Sequence, residues 1–227
     1  MTIASWILLG AIIISTGLLI VSYVIKQSII QKICECLIIP LFGALNILFL
    51  ADSLPDSLHV IKITIAALSF VTVSTIFIAF EKYKILRILG RIIVLANVLC
   101  WISLYRSIFY IHKVPVWFII VMVSVYIAAL FTTIILSGKQ EILFYGLFAL
   151  SFALTSYLHF CSMIFLFFER SANGLLLFCG ASMFIILNAF HFINQAKLNF
   201  KHAGVIRYSL LVVSQVLIAC SNILMSR

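Results

Sequence analysis

Charged side chains are scarce in this chain, at 9% of its 227 residues, whereas hydrophobic residues account for 65%. Soluble domains carry roughly 25% charged residues, because water has to solvate their surface. The scarcity of charge therefore excludes an ordinary soluble domain. It indicates that lipid is the solvent for most of the chain.

Carboxylates are scarcer still, with six in the whole sequence. They are Glu35, Asp52, Asp56, Glu81, Glu141 and Glu169. Five of them lie in polar connectors on both sides of the expected membrane, so no two can meet in the middle of a helical bundle. This excludes a membrane hydrolase that relies on an intramembrane acid pair for general acid–base catalysis. The sequence also has no HExxH, GxSxG or Walker motif.

Cysteine and histidine do not form a metal-binding pattern. The six cysteines are Cys34, Cys36, Cys100, Cys161, Cys179 and Cys220. All lie inside or at the edge of apolar runs, where thiols pack as small apolar side chains. Cys34 and Cys36 are one residue apart and do not share a helix face. The sequence therefore predicts no metal site and no cofactor.

Eight long apolar runs make up most of the chain. They cover about 6–25, 33–51, 60–80, 88–105, 115–136, 142–168, 174–193 and 205–225. About 20 apolar residues cross the ~30 Å hydrocarbon layer as a helix, and these runs lack the alternation of a membrane barrel. We expect an all-α, polytopic membrane protein, a bundle of eight transmembrane helices in one domain over 1–227. The fourth run is the weakest, because Arg91 and Arg106 bracket a short apolar segment.

The first run resembles a signal peptide only in its position. No basic segment precedes it, its apolar stretch is long, and no cleavage site of small residues follows it. We expect it to be retained as a membrane span.

Lysine and arginine are distributed unevenly among the connectors. Ten lie in the odd-numbered connectors: Lys26, Lys32, Lys82, Lys84, Arg87, Arg91, Lys139, Lys197, Lys201 and Arg207. Five lie in the even-numbered connectors and the C-terminus: Lys62, Arg106, Lys113, Arg170 and Arg227. Cytoplasmic connectors carry the excess of positive charge, so both termini are predicted on the non-cytoplasmic side. Topology and attraction to anionic headgroups account for the net charge of +9. We therefore expect membrane lipids as partners and no nucleic acid.

Polar side chains inside spans are candidate functional residues, because burying them in lipid is unfavourable. The ionisable ones are Glu35, His159 and His191, and the neutral ones are Asn46, Ser74, Thr75, Asn97, Tyr157, Asn188 and Gln215. Asn188 and His191 share a helix face by their spacing. The residues expected to face the interior and line one cavity are Ser74, Thr75, Asn97, Asn188, His191 and Gln215. The plainer interpretation is that such side chains only bond neighbouring helices, at about 0.6 kcal/mol each.

Several short segments of the chain form a recognisable pattern. Gly180 to Asn188 reads GASMFIILN, Asn194 follows, and the last run contains Ser214-Gln215. Earlier come Pro40-Leu41, Ser74-Thr75 and Gly90. These segments resemble the YhhN family of eight-span membrane proteins, which includes the lysoplasmalogenases. The corresponding family patterns are approximately G-A-x-x-F-x-x-S-D and A-Q near the end, and K-P-L, G-D and a glycine earlier.

The resemblance implies hydrolysis of the vinyl-ether bond of lysoplasmalogens, and hence a lysophospholipid-like ligand. That reaction protonates an alkene carbon and adds water to the resulting cation, for which two carboxylates are suited. The family's acidic positions correspond here to Thr75 and Asn188. Its lysine, histidine and tyrosine correspond to Ile39, to Ala96 or Asn97, and to Leu211. The resemblance therefore implies a shared fold with a degenerate site, and leaves open whether any catalysis remains.

Two other classes of function stay open. One is a small lipid-binding protein or transporter without hydrolase activity. A transporter is less favoured, because the sequence has no evident inverted repeats, and Pro40 is the only proline within a run. The other is a structural or regulatory partner that has no small-molecule site.

Overall fold

The structure is a computed structural model that describes residues 3–25, 28–53, 58–79, 83–106, 114–167, 172–196 and 203–225. These ranges contain eight α-helices and no strand. The helices are α1 (Ile3–Val24), α2 (Ser28–Ser53), α3 (Leu58–Ala79), α4 (Lys84–Arg106), α5 (Val116–Ser137), α6 (Ile142–Phe167), α7 (Ala172–Ala196) and α8 (Ala203–Met225). Each is long and apolar enough to cross a membrane. The prediction of an all-α protein with eight spanning helices is confirmed.

The helices extend beyond several of the predicted apolar runs. α4 begins at Lys84, about one turn before the predicted residue 88, and α2 begins at Ser28 instead of residue 33. The helical hydrogen-bond ladder does not stop where the hydrocarbon stops, and long basic side chains can reach the interface from the first turn. The predicted span ends at residues 80 and 168 lie outside the described residues.

The chain divides into two compact units. Unit 1 is Met1–Trp101 with Asn222–Arg227, and unit 2 is Ile102–Ser221. Unit 1 therefore holds α1, α2, α3 and most of α4, and unit 2 holds the end of α4 with α5, α6, α7 and nearly all of α8. The expectation of a single domain stays a prediction.

The core of unit 1 lies where α2 packs against α1 and α3. Leu50 on α2, Ala67 and Val71 on α3, and Val98 and Trp101 on α4 are fully buried. The outer face of α1 is covered with exposed isoleucine and valine, as expected for a helix solvated by lipid.

The core of unit 2 is built on the pairing of α6 with α7, against which α5 also packs. The rings of Phe148 and Phe192 stack with their centroids 4.0 Å apart. Leu158, Leu177 and Phe184 are fully buried in this unit. α5 is largely exposed along its apolar side chains, so it is a peripheral helix of the unit.

Candidate functional site

Three of the predicted site residues, Ser74, Thr75 and Asn97, lie on α3 and α4 in unit 1. The Ser74 hydroxyl donates to the carbonyl oxygen of Gly90 at 3.0 Å. The Asn97 amide donates to the carbonyl oxygen of Ala67 at 2.8 Å. Ala67 and Ser74 are seven residues apart on α3, and Gly90 and Asn97 are seven residues apart on α4. The two hydrogen bonds therefore belong to one antiparallel register and lie about 10 Å apart along the helices. Ser74 and Asn97 therefore fix the packing of α3 on α4.

Thr75, the neighbour of Ser74, bonds within its own helix. Its hydroxyl lies 2.8 Å from the carbonyl oxygens of both Val71 and Thr72. The side chain is buried. Its single proton is therefore already used in a local bond, which leaves Thr75 without the character of an acid or base.

The other three predicted residues lie in unit 2. Asn188 donates to the Thr155 hydroxyl on α6 at 3.2 Å, and Thr155 in turn donates to Ser151 of its own helix. Gln215 on α8 is 1% exposed, and His191 is half-buried on α7. The inward orientation expected for Asn188, His191 and Gln215 stays a prediction.

The six predicted residues are thus divided between the two units. Ser74 and Asn97 form hydrogen bonds between α3 and α4 in unit 1, whereas Asn188 forms one between α7 and α6 in unit 2. The prediction that all six line a single cavity joins residues of both units and stays a prediction.

A polar centre lies at His159, which the sequence analysis named as a candidate residue but did not include in the predicted cavity. The Tyr126 hydroxyl on α5 is 2.6 Å from His159 Nδ1, and Ser182 Oγ on α7 is 3.0 Å from His159 Nε2. The imidazole ring also lies against the ring of Phe178, with centroids 4.9 Å apart. One histidine therefore connects α5, α6 and α7.

The direction of these bonds follows from the Ser182 hydroxyl. It donates its single proton to the carbonyl oxygen of Phe178 at 2.7 Å. The neutral tautomer that gives every group in this chain a partner is then the one in which His159 Nε2 donates to Ser182 and Nδ1 accepts from Tyr126. A serine nucleophile with a histidine base needs the opposite arrangement, in which Nε2 accepts the serine proton. The centre is therefore a saturated hydrogen-bond chain that holds three helices together.

Glu35 on α2 is a buried carboxylate. Its Oε1 accepts bonds from the Tyr23 hydroxyl at 2.6 Å and from the Gln31 amide at 3.0 Å. Tyr23 belongs to α1, so this carboxylate links α1 to α2. Glu35 lies in unit 1, whereas Asn188, one of the two positions where the resemblance places a carboxylate, lies in unit 2.

No group of three or more potential metal ligands occurs among the described residues. All six cysteines are described, and all are free thiols.

A groove of about 400 Å³ lies between α2 and α3 in the middle of their spans. Its lining is Pro40, Gly43, Ala44 and Ile47 on α2, and Ile65, Leu68, Ser69, Thr72 and Val73 on α3. Ala44 and Ser69 are exposed, so the groove opens to the surroundings of the helices. Its small residues on α2 leave the space that larger side chains would fill.

Searches against protein-family models, curated proteins and solved structures found no match for this chain.

Proposed function

We propose that this chain is a YhhN-type membrane protein that binds a lysophospholipid-like lipid and does not hydrolyse vinyl ethers. The observation that carries the proposal is the state of the two positions where the resemblance places carboxylates. Thr75 is a neutral donor to its own helix, and Asn188 is a neutral donor to Thr155. A proton donor for the alkene carbon is therefore missing at both positions, and with it a catalytic factor of roughly 10²–10⁴.

The groove between α2 and α3 supports lipid binding. Its volume of about 400 Å³ falls within the range of roughly 300–1,000 Å³ that is typical of ligand pockets. The lining is apolar apart from Ser69 and Thr72, and the Thr72 hydroxyl already donates to Leu68 of its own helix. An acyl chain is the ligand that such a largely apolar surface, at the middle of two membrane spans, can accommodate.

The test uses the purified protein with a lysoplasmalogen. We expect binding of the lipid without release of fatty aldehyde. Ala44→Phe fills the groove and should weaken binding roughly tenfold, the equivalent of about 1.4 kcal/mol. The matched control is Ala128→Phe, which adds the same ring to an exposed position of α5 and should leave binding unchanged.

Restoring the acids tests the catalytic half of the proposal. Thr75→Asp with Asn188→Asp supplies both carboxylates, and Thr133→Asp is the control that adds one at a buried position of α5, outside the candidate site. Rapid aldehyde release by the unmodified protein would overturn the loss of hydrolysis. Equal binding by the unmodified protein and the Ala44→Phe variant would overturn the assignment of the groove.

A further inference from the structure

Two polar side chains of unit 1 are buried without partners. Asn46 on α2 is 1% exposed, and neither its amide nitrogen nor its amide oxygen has a hydrogen-bond partner among the described residues. Thr64 on α3 is 0% exposed, and its hydroxyl also lacks a partner there. Unpaired amides and hydroxyls are strongly unfavourable in a membrane interior, where no bulk water can solvate them.

Thr64 departs from the behaviour of the other threonines in the described helices. The hydroxyls of Thr16, Thr72, Thr75, Thr132, Thr133 and Thr155 all donate to the carbonyl four residues earlier. Thr64 makes no such bond. Its hydroxyl is therefore available to a group that lies outside its own helix.

The helix register brings Asn46 and Thr64 to the same level. Four residues separate α2 from α3, too few to cross a membrane, so the two helices are antiparallel. A β-carbon at Gly43 would lie 3.4 Å from Leu68 Cδ1, which pairs these two positions. Three residues further along α2 is Asn46, and four residues back along α3 is Thr64. Since both are buried, both face the interior of unit 1.

This level lies near one end of the spans. Asn46 comes four residues before the end of its span at Leu50, about 6 Å from it, and Thr64 comes six residues after Leu58, about 9 Å from it. The carboxylates along α2 are Asp52, six residues and about 9 Å from Asn46 toward the end of the helix, and Glu35, about 16 Å away in the other direction. Asn46 and Thr64 are themselves neutral and lie within a short distance of the headgroup region.

We propose that Asn46 and Thr64 form a buried binding site for a water molecule between α2 and α3. The amide nitrogen donates, the amide oxygen accepts, and the threonine hydroxyl does either. Together they offer three hydrogen bonds, which is the usual number for a buried water. Water is the neutral occupant that supplies the complementary donors and acceptors. The inference does not depend on lipid binding or on any activity.

A double-mutant cycle with near-isosteric variants tests the shared occupant. Asn46→Leu and Thr64→Val should each lower the Tm of the detergent-solubilised protein by about 2–6 °C, because each leaves the bound water and the other side chain short of a bond. The double variant should recover most of this loss, since both polar groups are gone. The matched control pairs Asn46→Leu with Thr72→Val, about 12 Å further along α3, and its effects should add.

Magnetisation transfer from water to side-chain amides, in protein labelled with ¹⁵N-asparagine, identifies the occupant. The signal that disappears in Asn46→Leu should receive transfer from water, whereas that of Asn97, bonded to Ala67, should not. Additive losses for Asn46 and Thr64, or single variants that raise the Tm, would overturn the shared site. Non-additive changes in Tm without transfer from water would mean that the two side chains bond each other directly. That result would overturn the proposal of a bound water molecule.

Discussion

At the scale of single residues, several intramembrane polar groups form hydrogen bonds with other helices of the chain, whereas Asn46 and Thr64 do not within the described residues. Ser74 and Asn97 bond backbone carbonyls of a neighbouring helix, and Asn188 bonds a threonine. The sequence could identify these residues as polar groups inside spans. It could not identify their partners, because a partner depends on the rotation and register of another helix.

The two histidines of the last spans illustrate this limit. The sequence favoured His191, since Asn188 lies three residues earlier on the same face. In the structure, it is His159 that forms side-chain hydrogen bonds to two other helices, through Tyr126 and Ser182. No spacing within α6 reveals them, so only the packing of α5 and α7 on α6 makes the centre recognisable.

Removing the hydroxyl of Tyr126 should destabilise unit 2. Tyr126→Phe keeps the ring against His159 but leaves Nδ1 without its donor, so we expect a loss of about 0.5–2 kcal/mol in the free energy of unfolding. The measurement is equilibrium unfolding in detergent. Tyr83→Phe is the control, because Tyr83 is 64% exposed. An equal effect of the two variants would contradict a structural role for the chain through His159.

At the scale of the helices, hydrophobicity alone located all eight spans to within a few residues. The fourth was the weakest by its apolar length, and α4 nevertheless runs without interruption from Lys84 to Arg106. The hydrogen bonds that Ser74 and Asn97 form between α3 and α4 help to stabilise this uninterrupted helix. α2 likewise continues through Pro40. The hydropathy of a run predicts that a helix exists, whereas its contacts with other helices depend on side chains that hydropathy does not distinguish.

α7 and α8 approach each other closely at Gly180. A β-carbon there would lie 2.7 Å from Ile218 Cγ1 and 3.0 Å from the carbonyl oxygen of Ser214. Gly180→Ala must therefore push α8 away, and we expect a loss of about 1–3 kcal/mol in the free energy of unfolding.

The control for this prediction is another glycine of unit 2. A β-carbon at Gly146 on α6 would meet nothing within 4 Å, so Gly146→Ala should raise the stability by about 0.5–1 kcal/mol through helix propensity. The free energy of unfolding of both variants, measured under the same conditions, tests the two expectations. An increase in the free energy of unfolding for Gly180→Ala would contradict the prediction, because it would show that α7 and α8 can move apart without loss of stability.

At the scale of the whole molecule, the eight spans predicted from the sequence imply that both termini lie on the same side of the membrane. Which side depends on the positive charges of the connectors. Of these charges, Lys26, Lys82, Lys113, Arg170, Lys197, Lys201 and Arg227 lie outside the described residues. The orientation is therefore an inference from the sequence, with ten basic residues in the odd-numbered connectors against five elsewhere.

Reporter fusions test that orientation directly. We expect a reporter that is active only in the cytoplasm to be silent when fused after Arg227, and a reporter that is active only outside the cytoplasm to work there. Fusion after Lys139, in the connector between α5 and α6, is the control and should give the opposite pair of results, because that connector is predicted to be cytoplasmic. Cytoplasmic activity at Arg227 together with external activity at Lys139 would mean that the whole bundle is inverted. Cytoplasmic activity at both sites would mean that one of the last three helices does not span.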